Sequence, residues 1–375
     1  MSARDRNVSR RRFLQHSSLG LAAAHLAARG AAAQDFPSPP GRKLGWAVVG
    51  LGRLSINQIL PAFAKCEKSR VTGFVSGSPD KAKALALRYG VAEKNIYDYA
   101  SIDRIRDNSD IDIVYVVLPN GMHAEYTIRA LEAGKHVLCE KPMANTPAEC
   151  EQMIAAARKT NRKLMVAYRV RYEPYNRALI QAVRDQEMGP LKVLLADAGF
   201  SIGDPNQWRL NRKLAGGGSM MDIGIYAVNA ARFLTGEEPT EVNAMEQTDR
   251  RDPRFKEVED TVTFQLRFPS GVLANCTSSY GAPFNRYRVV GPKGWVELEP
   301  GSGYSGMRMR ANVGRTLEER FHPVVDHFAA EMDHLSGCVM DGTEPLTPGE
   351  EGLKDLKVIM GIYDAARSRR TVTLT

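Results

Sequence analysis

The sequence predicts an α/β fold in two parts: a doubly wound parallel sheet, then an α+β region on a large, open, mostly antiparallel sheet. Three observations predict it. Between residues 44 and 168, short apolar runs alternate one by one with amphipathic stretches, and strands separated by single helices build parallel sheets. Beyond about residue 190 the segments are long and strand-like, joined by turns such as Pro269-Ser270-Gly271 and Pro292-Lys293-Gly294, the texture of antiparallel pairing. The first strand runs into Gly50-Leu51-Gly52-Arg53-Leu54-Ser55, a glycine spacing that lets backbone approach an anion at a helix N-terminus.

In chain order, the first region reads as strand Leu44–Gly50, helix Asn57–Lys65, strand Val71–Ser76 and helix Pro79–Tyr89. It continues with strand Asp112–Leu118, helix His123–Ala133, strand Lys135–Cys139, helix Pro147–Thr160 and strand Lys163–Tyr168. The second reads as strands Leu191–Phe200, Glu241–Gln247, Thr261–Phe268, Val272–Ser279, Tyr287–Val290 and Trp295–Glu299. A helix from Ser219 to Leu234 interrupts them. Helices over Val324–Met340 and Gly349–Ser368 close the chain before a last short strand.

The N-terminal stretch reads as an export signal. Arg10, Arg11 and Arg12 precede a modestly apolar run from Leu14 to Ala28, and Ala31-Ala32-Ala33 offers a cleavage site before Gln34. With His16 and His25 inside it, this run is too short and too polar to span a bilayer. Ser9-Arg10-Arg11-Arg12-Phe13-Leu14 fits the twin-arginine pattern, which implies export in the folded state to the periplasm. The expected organisation is a signal peptide over 1–33, a Pro-rich arm over 34–43, a nucleotide domain over 44–165 and a substrate and oligomerisation domain over 166–375.

Charge and cysteine content narrow the function. The net charge is +8, but six Arg and one Asp fall in residues 1–33, so the remainder carries only +3. That is no footprint for nucleic acid, and no later run predicts a membrane partner after signal cleavage. The 5 cysteines are scattered without CxxC spacing, and no HExxH occurs, so neither a disulfide framework nor a metal site is expected.

The glycine turn at Gly50 and Gly52 lies between a strand and a helix, as in a Rossmann dinucleotide-binding unit, although its third position is Ser55. The second strand ends in Ser76-Gly77-Ser78-Pro79-Asp80-Lys81. No carboxylate directly follows the strand to bind ribose hydroxyls; Ser76, Gly77, Ser78 and Lys81 suit a 2′-phosphate instead, which favours NADP. Asp80 argues the other way. Glu140-Lys141-Pro142 ends a strand on the edge where α/β sheets place ligands, and Asp222 and Tyr226 share one helical face four residues apart.

The ordered set GLGRLS, LPNGMH, AGKHVLCEKP, WRLNRKLAGGG, GGGSMMDIGIY, EVEDTVTFQLRFPSG, RYRVVG and PGEEG resembles the Gfo/Idh/MocA oxidoreductases over nearly all of the chain beyond the leader. With its leader and arm it is most similar to the glucose–fructose oxidoreductase branch. The resemblance implies Lys141 as the catalytic lysine, with Asp222 and Tyr226 facing a sugar; Tyr226 stands where most members carry His. It implies Tyr226 as base with Lys141 as its rival, and Glu140 at the nicotinamide ribose or ordering Lys141. Gly50, Gly52, Arg53, Leu54, Leu118, Pro119, Asn120, His123, Arg169, Trp208 and Arg209 are implied around the cofactor, and Tyr168 and Tyr287 in the sugar pocket.

The expected reaction is oxidation of an aldose at C1, with the hydride passed through tightly held NADP to a second sugar. A nicotinamide-dependent exported glycosidase and a non-catalytic NADP-dependent sensor are the alternatives. The partners expected are small-molecule sugars and further copies of this chain, as a dimer or tetramer.

Overall fold

The computed structural model describes residues 41–374. The expected leader over 1–33 and the arm up to residue 40 lie outside the described residues. Among the described residues no helix is long and apolar enough to cross a membrane, and no group of His, Cys, Asp or Glu is placed to hold a metal ion. All five cysteines are buried free thiols.

Six strands form the first sheet: β1 (Leu44–Val49), β2 (Ser69–Val75), β3 (Ile96–Tyr97), β4 (Ile113–Val116), β5 (His136–Glu140) and β6 (Leu164–Ala167). All pair in parallel in the order β3-β2-β1-β4-β5-β6. Every residue of β1, β4, β5 and β6 is buried, as expected of a parallel sheet covered on both faces. The chain works outward from β1 to β3 and then crosses to β4, so a topological switch lies between β1 and β4. Ligands of such sheets bind at the strand C-termini beside that switch. Gly50, Leu118 and Lys141 follow β1, β4 and β5 at this edge.

The second sheet holds β7 (Val193–Gly199), β8 (Glu241–Gln247), β9 (Thr261–Arg267), β10 (Leu273–Ser279), β11 (Phe284–Gly291), β12 (Gly294–Glu299), β13 (Arg308–Val313), β14 (Thr316–Arg320) and β15 (Val372–Thr373). Its order is β14-β13-β12-β11-β7-β10-β9-β8-β15. All neighbours are antiparallel except β7 and β10, which run parallel. In β9 the alternation is clean: Val262, Phe264 and Leu266 are buried, while Thr263, Gln265 and Arg267 are exposed. One face therefore lies on the core and the other stays open.

Three elements go beyond the sequence expectation. The helix Pro174–Arg184 starts on Glu173, whose carboxylate accepts from the N–H groups of Tyr175 (3.0 Å) and Asn176 (2.8 Å). The hairpin β13–β14 extends the second sheet, although β14 (TLEER) is polar and almost wholly exposed. The last long helices also return to the first sheet. Phe328, Met332 and Leu335 of the helix His327–Asp341 pack in one cluster with Leu44, Trp46 and Tyr115. That helix begins at His327 rather than Val324 because Asp326 caps it, accepting from the N–H groups of Phe328 and Ala329 at 3.1 Å each.

Candidate active site

The turn after β1 is closed by its own residues. Gly50 has φ +93°, and a Cβ there would stand 2.2 Å from the Val117 carbonyl oxygen, so only glycine fits. Ser55, at the third position of the turn, is fully buried and donates its hydroxyl to Gly50 O at 2.5 Å. A Cβ on the exposed Gly52 would meet nothing within 4 Å. Arg53 is exposed and Leu54 half-buried beside it. The open space over Gly52, at the start of a helix, is the cradle a pyrophosphate needs.

At the end of β2, Ser78 donates its N–H to Ser76 Oγ at 3.1 Å, which tightens the turn through the exposed Gly77. Lys81 is exposed and reaches back to Leu51 O at 3.5 Å, placing an ammonium between the two turns. Ser76, Gly77, Ser78 and Lys81 are thus the residues at this turn that could hold the ribose end of a nucleotide, and no carboxylate directly follows the strand.

After β4 the side chains serve the loops. Asn120 is buried and donates from Nδ2 to Ala215 O at 2.8 Å. His123 is fully buried, with Nε2 2.8 Å from Leu118 O and Nδ1 2.8 Å from Pro142 O. Each ring nitrogen stands against a carbonyl oxygen, one of which accepts the ring N–H, so His123 lies between the turn after β4, through Leu118-Pro119, and the turn that carries Lys141. It does not face a cofactor as the sequence suggested.

Lys141 is the hub of the cluster's contacts. Its Nζ donates to the backbone oxygen of Asp222 at 2.7 Å, stands 3.6 Å from Asp222 Oδ1, and lies 4.7 Å from the centre of the Tyr226 ring. On the other carboxylate oxygen, Asp222 Oδ2 accepts from Arg209 Nε at 3.0 Å and from the Tyr280 hydroxyl at 2.9 Å. Burial works against the Asp222 carboxylate, but Arg209 and Lys141 outweigh it and hold the group below the usual range. Burial would likewise weaken the Lys141 ammonium, yet Tyr226, Asp222 and Glu140 raise its proton affinity above that of a free lysine. Arg209 lies over the Trp208 ring at 4.6 Å.

Arg169 brackets Tyr226 from a second direction. Its guanidinium donates to Ser302 O (2.7 Å) and Gly303 O (2.9 Å), and lies 5.3 Å from the Tyr226 ring centre and 4.4 Å from that of Tyr304. Two cations thus flank one phenol in a nearly closed site, where charge interactions are strong. Tyr226 is 7 % exposed.

The helix that carries Asp222 and Tyr226 opens with a π-helical turn, Met220–Gly224, before Ile225–Thr235. Its start is held by Glu259, which accepts from the N–H groups of Gly218 (2.8 Å) and Met220 (3.1 Å) and from the Tyr363 hydroxyl (2.8 Å). A Cβ on Gly218 would stand 2.0 Å from Glu259 O. The glycine run is thus a close packing of backbone on backbone.

Two of the expected sugar contacts lie elsewhere. Tyr168 is fully buried with its hydroxyl beside Asp355, whose charge opposes ionisation of the phenol. Tyr287 is fully buried and donates its hydroxyl to Tyr226 O at 3.3 Å. Both rings are core side chains that support the site rather than line it. Tyr280, Tyr304 and Glu259 are the residues that sequence reasoning did not single out. Glu259 stands within the EVED stretch, but nothing local marks it as the anchor of a helix 39 residues earlier.

Residues 44–168 match the family model described as "Oxidoreductase family, NAD-binding Rossmann fold", and residues 176–297 match the GFO/IDH/MocA C-terminal domain. A D-xylose 1-dehydrogenase [NADP(+)] of Haloarcula marismortui is 32% identical over 88% of this chain and 92% of its own length. The chain belongs to the Gfo/Idh/MocA oxidoreductase family. Within it, the crystal structure of aldose-aldose oxidoreductase from Caulobacter crescentus complexed with glycerol is similar at 56% identity and a TM-score of 0.88, covering 89% of this chain and 100% of that one. A 1,5-anhydro-D-fructose reductase of Ensifer adhaerens is 26% identical over 86% of this chain and 96% of its own. Gfo/Idh/MocA membership accounts for the two-sheet architecture, with an NAD-binding Rossmann fold as its first part.

Proposed function

We propose that this chain is an NADP-dependent sugar oxidoreductase that keeps its nucleotide bound through two half-reactions. It oxidises an aldose at C1 to the aldonolactone and passes the hydride to a second sugar, aldose or ketose, giving an alditol. The observation that carries the reading is the Lys141–Asp222–Tyr226 cluster at the nucleotide edge, in a chain 56% identical to an aldose-aldose oxidoreductase.

When bound, the oxidised nicotinamide supplies a hydride acceptor. The chain supplies the rest. The hydride leaves C1 with its electron pair, and the proton of the C1 hydroxyl goes to the Tyr226 oxygen, which accepts it as a phenolate. Lys141, held as an ammonium, is better suited to stabilise the developing oxyanion than to accept that proton. Arg169 and Lys141 together offset negative charge in the pocket, whether on the phenol or on the sugar oxygen. Asp222, fixed by Arg209 and Tyr280, orients Lys141 and offers an acceptor to a sugar hydroxyl. In the reductive half-reaction the same proton returns to the acceptor carbonyl oxygen.

The twin-arginine pattern at Ser9–Leu14 supports export in the folded state with the nucleotide aboard. The proposal therefore includes a periplasmic location, and a homo-oligomer formed through the open face of the second sheet. The test is mass spectrometry of the native protein for bound NADP(H), then mixing with pairs of sugars while lactone and alditol are assayed. Both products in equal amounts are expected. Release of the aglycone from a nitrophenyl glycoside without lactone overturns the reading in favour of a glycosidase.

A further inference from the structure

Beneath the site, two carboxyl groups face one tyrosine hydroxyl. Tyr115, fully buried in β4, lies 2.8 Å from Glu140 Oε1 and 3.3 Å from Glu331 Oε1. Glu140 ends β5, and its Oε2 accepts from the Lys141 N–H at 3.2 Å. Glu331 comes from the helix His327–Asp341 and has no solvent exposure. Its Oε2 has no hydrogen-bond partner.

Hydrogen-bond accounting decides what this cluster is. The Tyr115 hydroxyl has one proton, and burial with two acid neighbours keeps that phenol un-ionised. Given to Glu140 at the shorter distance, that proton leaves the tyrosine oxygen only as an acceptor toward Glu331. The second contact is then a hydrogen bond only if Glu331 carries a proton of its own. An ionised Glu331 would instead be a buried charge with one unpartnered oxygen, an arrangement that costs several kcal/mol, on the order of a desolvated ion.

We propose that Glu331 is a neutral carboxylic acid at neutral pH and acts through Tyr115 as a positioning residue, so that the Glu140–Glu331 pair carries one negative charge beside Lys141. This rests on the reading of Lys141 as catalytic. The groups that act on Glu331 are Glu140, Tyr115, Arg169 and Tyr172 from the first sheet and its following turn, and Asp326 at the cap of its own helix, with His327 one turn before it. Burial raises Glu331 well above the usual carboxylate range, and Glu140 and Asp326 add to it; Arg169 and Tyr115 oppose without cancelling. His327 is neutral, because burial and Arg169 push it down to about 3. Glu140 is also raised by burial, but Lys141, Tyr115 and Arg169 favour its ionised form. Of the two, Glu140 is the one that holds the charge.

The consequence is a charge-setting step one residue from the catalytic lysine. A second charge on the pair would strengthen the Lys141 ammonium further and weaken its partnership with a sugar oxyanion. Infrared difference spectroscopy of the purified protein from neutral pH upward tests this without a variant. A protonated-carboxyl C=O stretch is expected at neutral pH, lost on titration upward and absent in Glu331→Gln. Glu331→Gln places a neutral donor in the same position and retains turnover within about threefold at neutral pH, but it loses an alkaline ionisation of kcat that the wild type shows. Glu140→Gln shifts loss of the C=O band to a lower pH, because the like charge is gone.

No protonated-carboxyl band in the wild type, or one that persists in Glu331→Gln, overturns the proposal. An unchanged kcat profile with the expected band overturns its link to Lys141 alone. Failure of the sugar assays with the band intact counts against the enzymatic reading and not against the shared proton.

Discussion

The Lys141 ammonium lies 4.7 Å from the centre of the Tyr226 ring while it donates to the backbone oxygen of Asp222 at 2.7 Å. One cation therefore ties together the proposed base, its helix and the end of β5. Replacing it by Lys141→Met keeps the stem and removes the charge. Single-turnover reduction of the bound nucleotide by an aldose is expected to fall by about 10²–10⁴-fold, the range of a positioned proton-transfer or oxyanion group. Nucleotide content by mass is expected to be unchanged. Retained turnover would move the chemistry away from this cluster.

Tyr280 acts on Asp222 from the far side. In Tyr280→Phe the Asp222 carboxylate loses a donor worth about 1.5–3 kcal/mol in a buried charged pair, and kcat/KM is expected to fall by about tenfold or more. The sign of the pH effect follows from the carboxylate. Arg209, Lys141 and Tyr280 favour its ionised form; removing one of them raises its proton affinity, so the acid limb of kcat/KM moves to higher pH. A limb that stays in place or moves down would contradict the assignment.

Gly52 and Gly218 are expected to respond differently to alanine. At Gly52 a methyl group meets nothing within 4 Å, so the unfolding free energy of nucleotide-free protein should stay within about 0.5 kcal/mol of wild type. NADP binding, measured by titration calorimetry, should weaken because the methyl group occupies the pyrophosphate cradle. At Gly218 a methyl group stands 2.0 Å from Glu259 O, and overpacking there is expected to cost about 1–3 kcal/mol of stability in addition to activity. Equal behaviour of the two variants would argue against the cradle.

The proposed preference for NADP rests on the end of β2. Ser78→Asp introduces the carboxylate that NAD-binding folds place near this position, and it would repel a 2′-phosphate. The ratio of NADP to NAD affinity is expected to drop by at least about tenfold, read by fluorescence titration of nucleotide-free protein. An unchanged ratio would place the 2′-phosphate elsewhere.

Much of the fold is legible because it depends on local pattern. The all-buried strands β1, β4, β5 and β6 are apolar runs, and Val262, Phe264 and Leu266 mark the inner face of β9 at period two. The hairpin β13–β14 escaped because TLEER has no apolar alternation to report. The parallel contact between β7 and β10 is a matter of sheet order, which periodicity does not encode. Tyr168 and Tyr287 carry the chemistry of a sugar pocket, but only packing shows that their rings belong to the core.

The sequence by itself determined the two-sheet class and the glycine turn at Gly50 and Gly52, and the family resemblance named Lys141, Asp222 and Tyr226 as candidates. Each stands in a short stretch whose periodicity or motif can be read within a few residues. The tertiary structure alone decided that Tyr280 and Arg209 hold Asp222, that Glu259 anchors the glycine run, and that Glu331 meets Glu140 across Tyr115. These relations join residues 13 to 216 positions apart. Their strength comes from burial, where an unpaired charge is costly and a shared proton is favoured, and burial is a property of the assembled sheets.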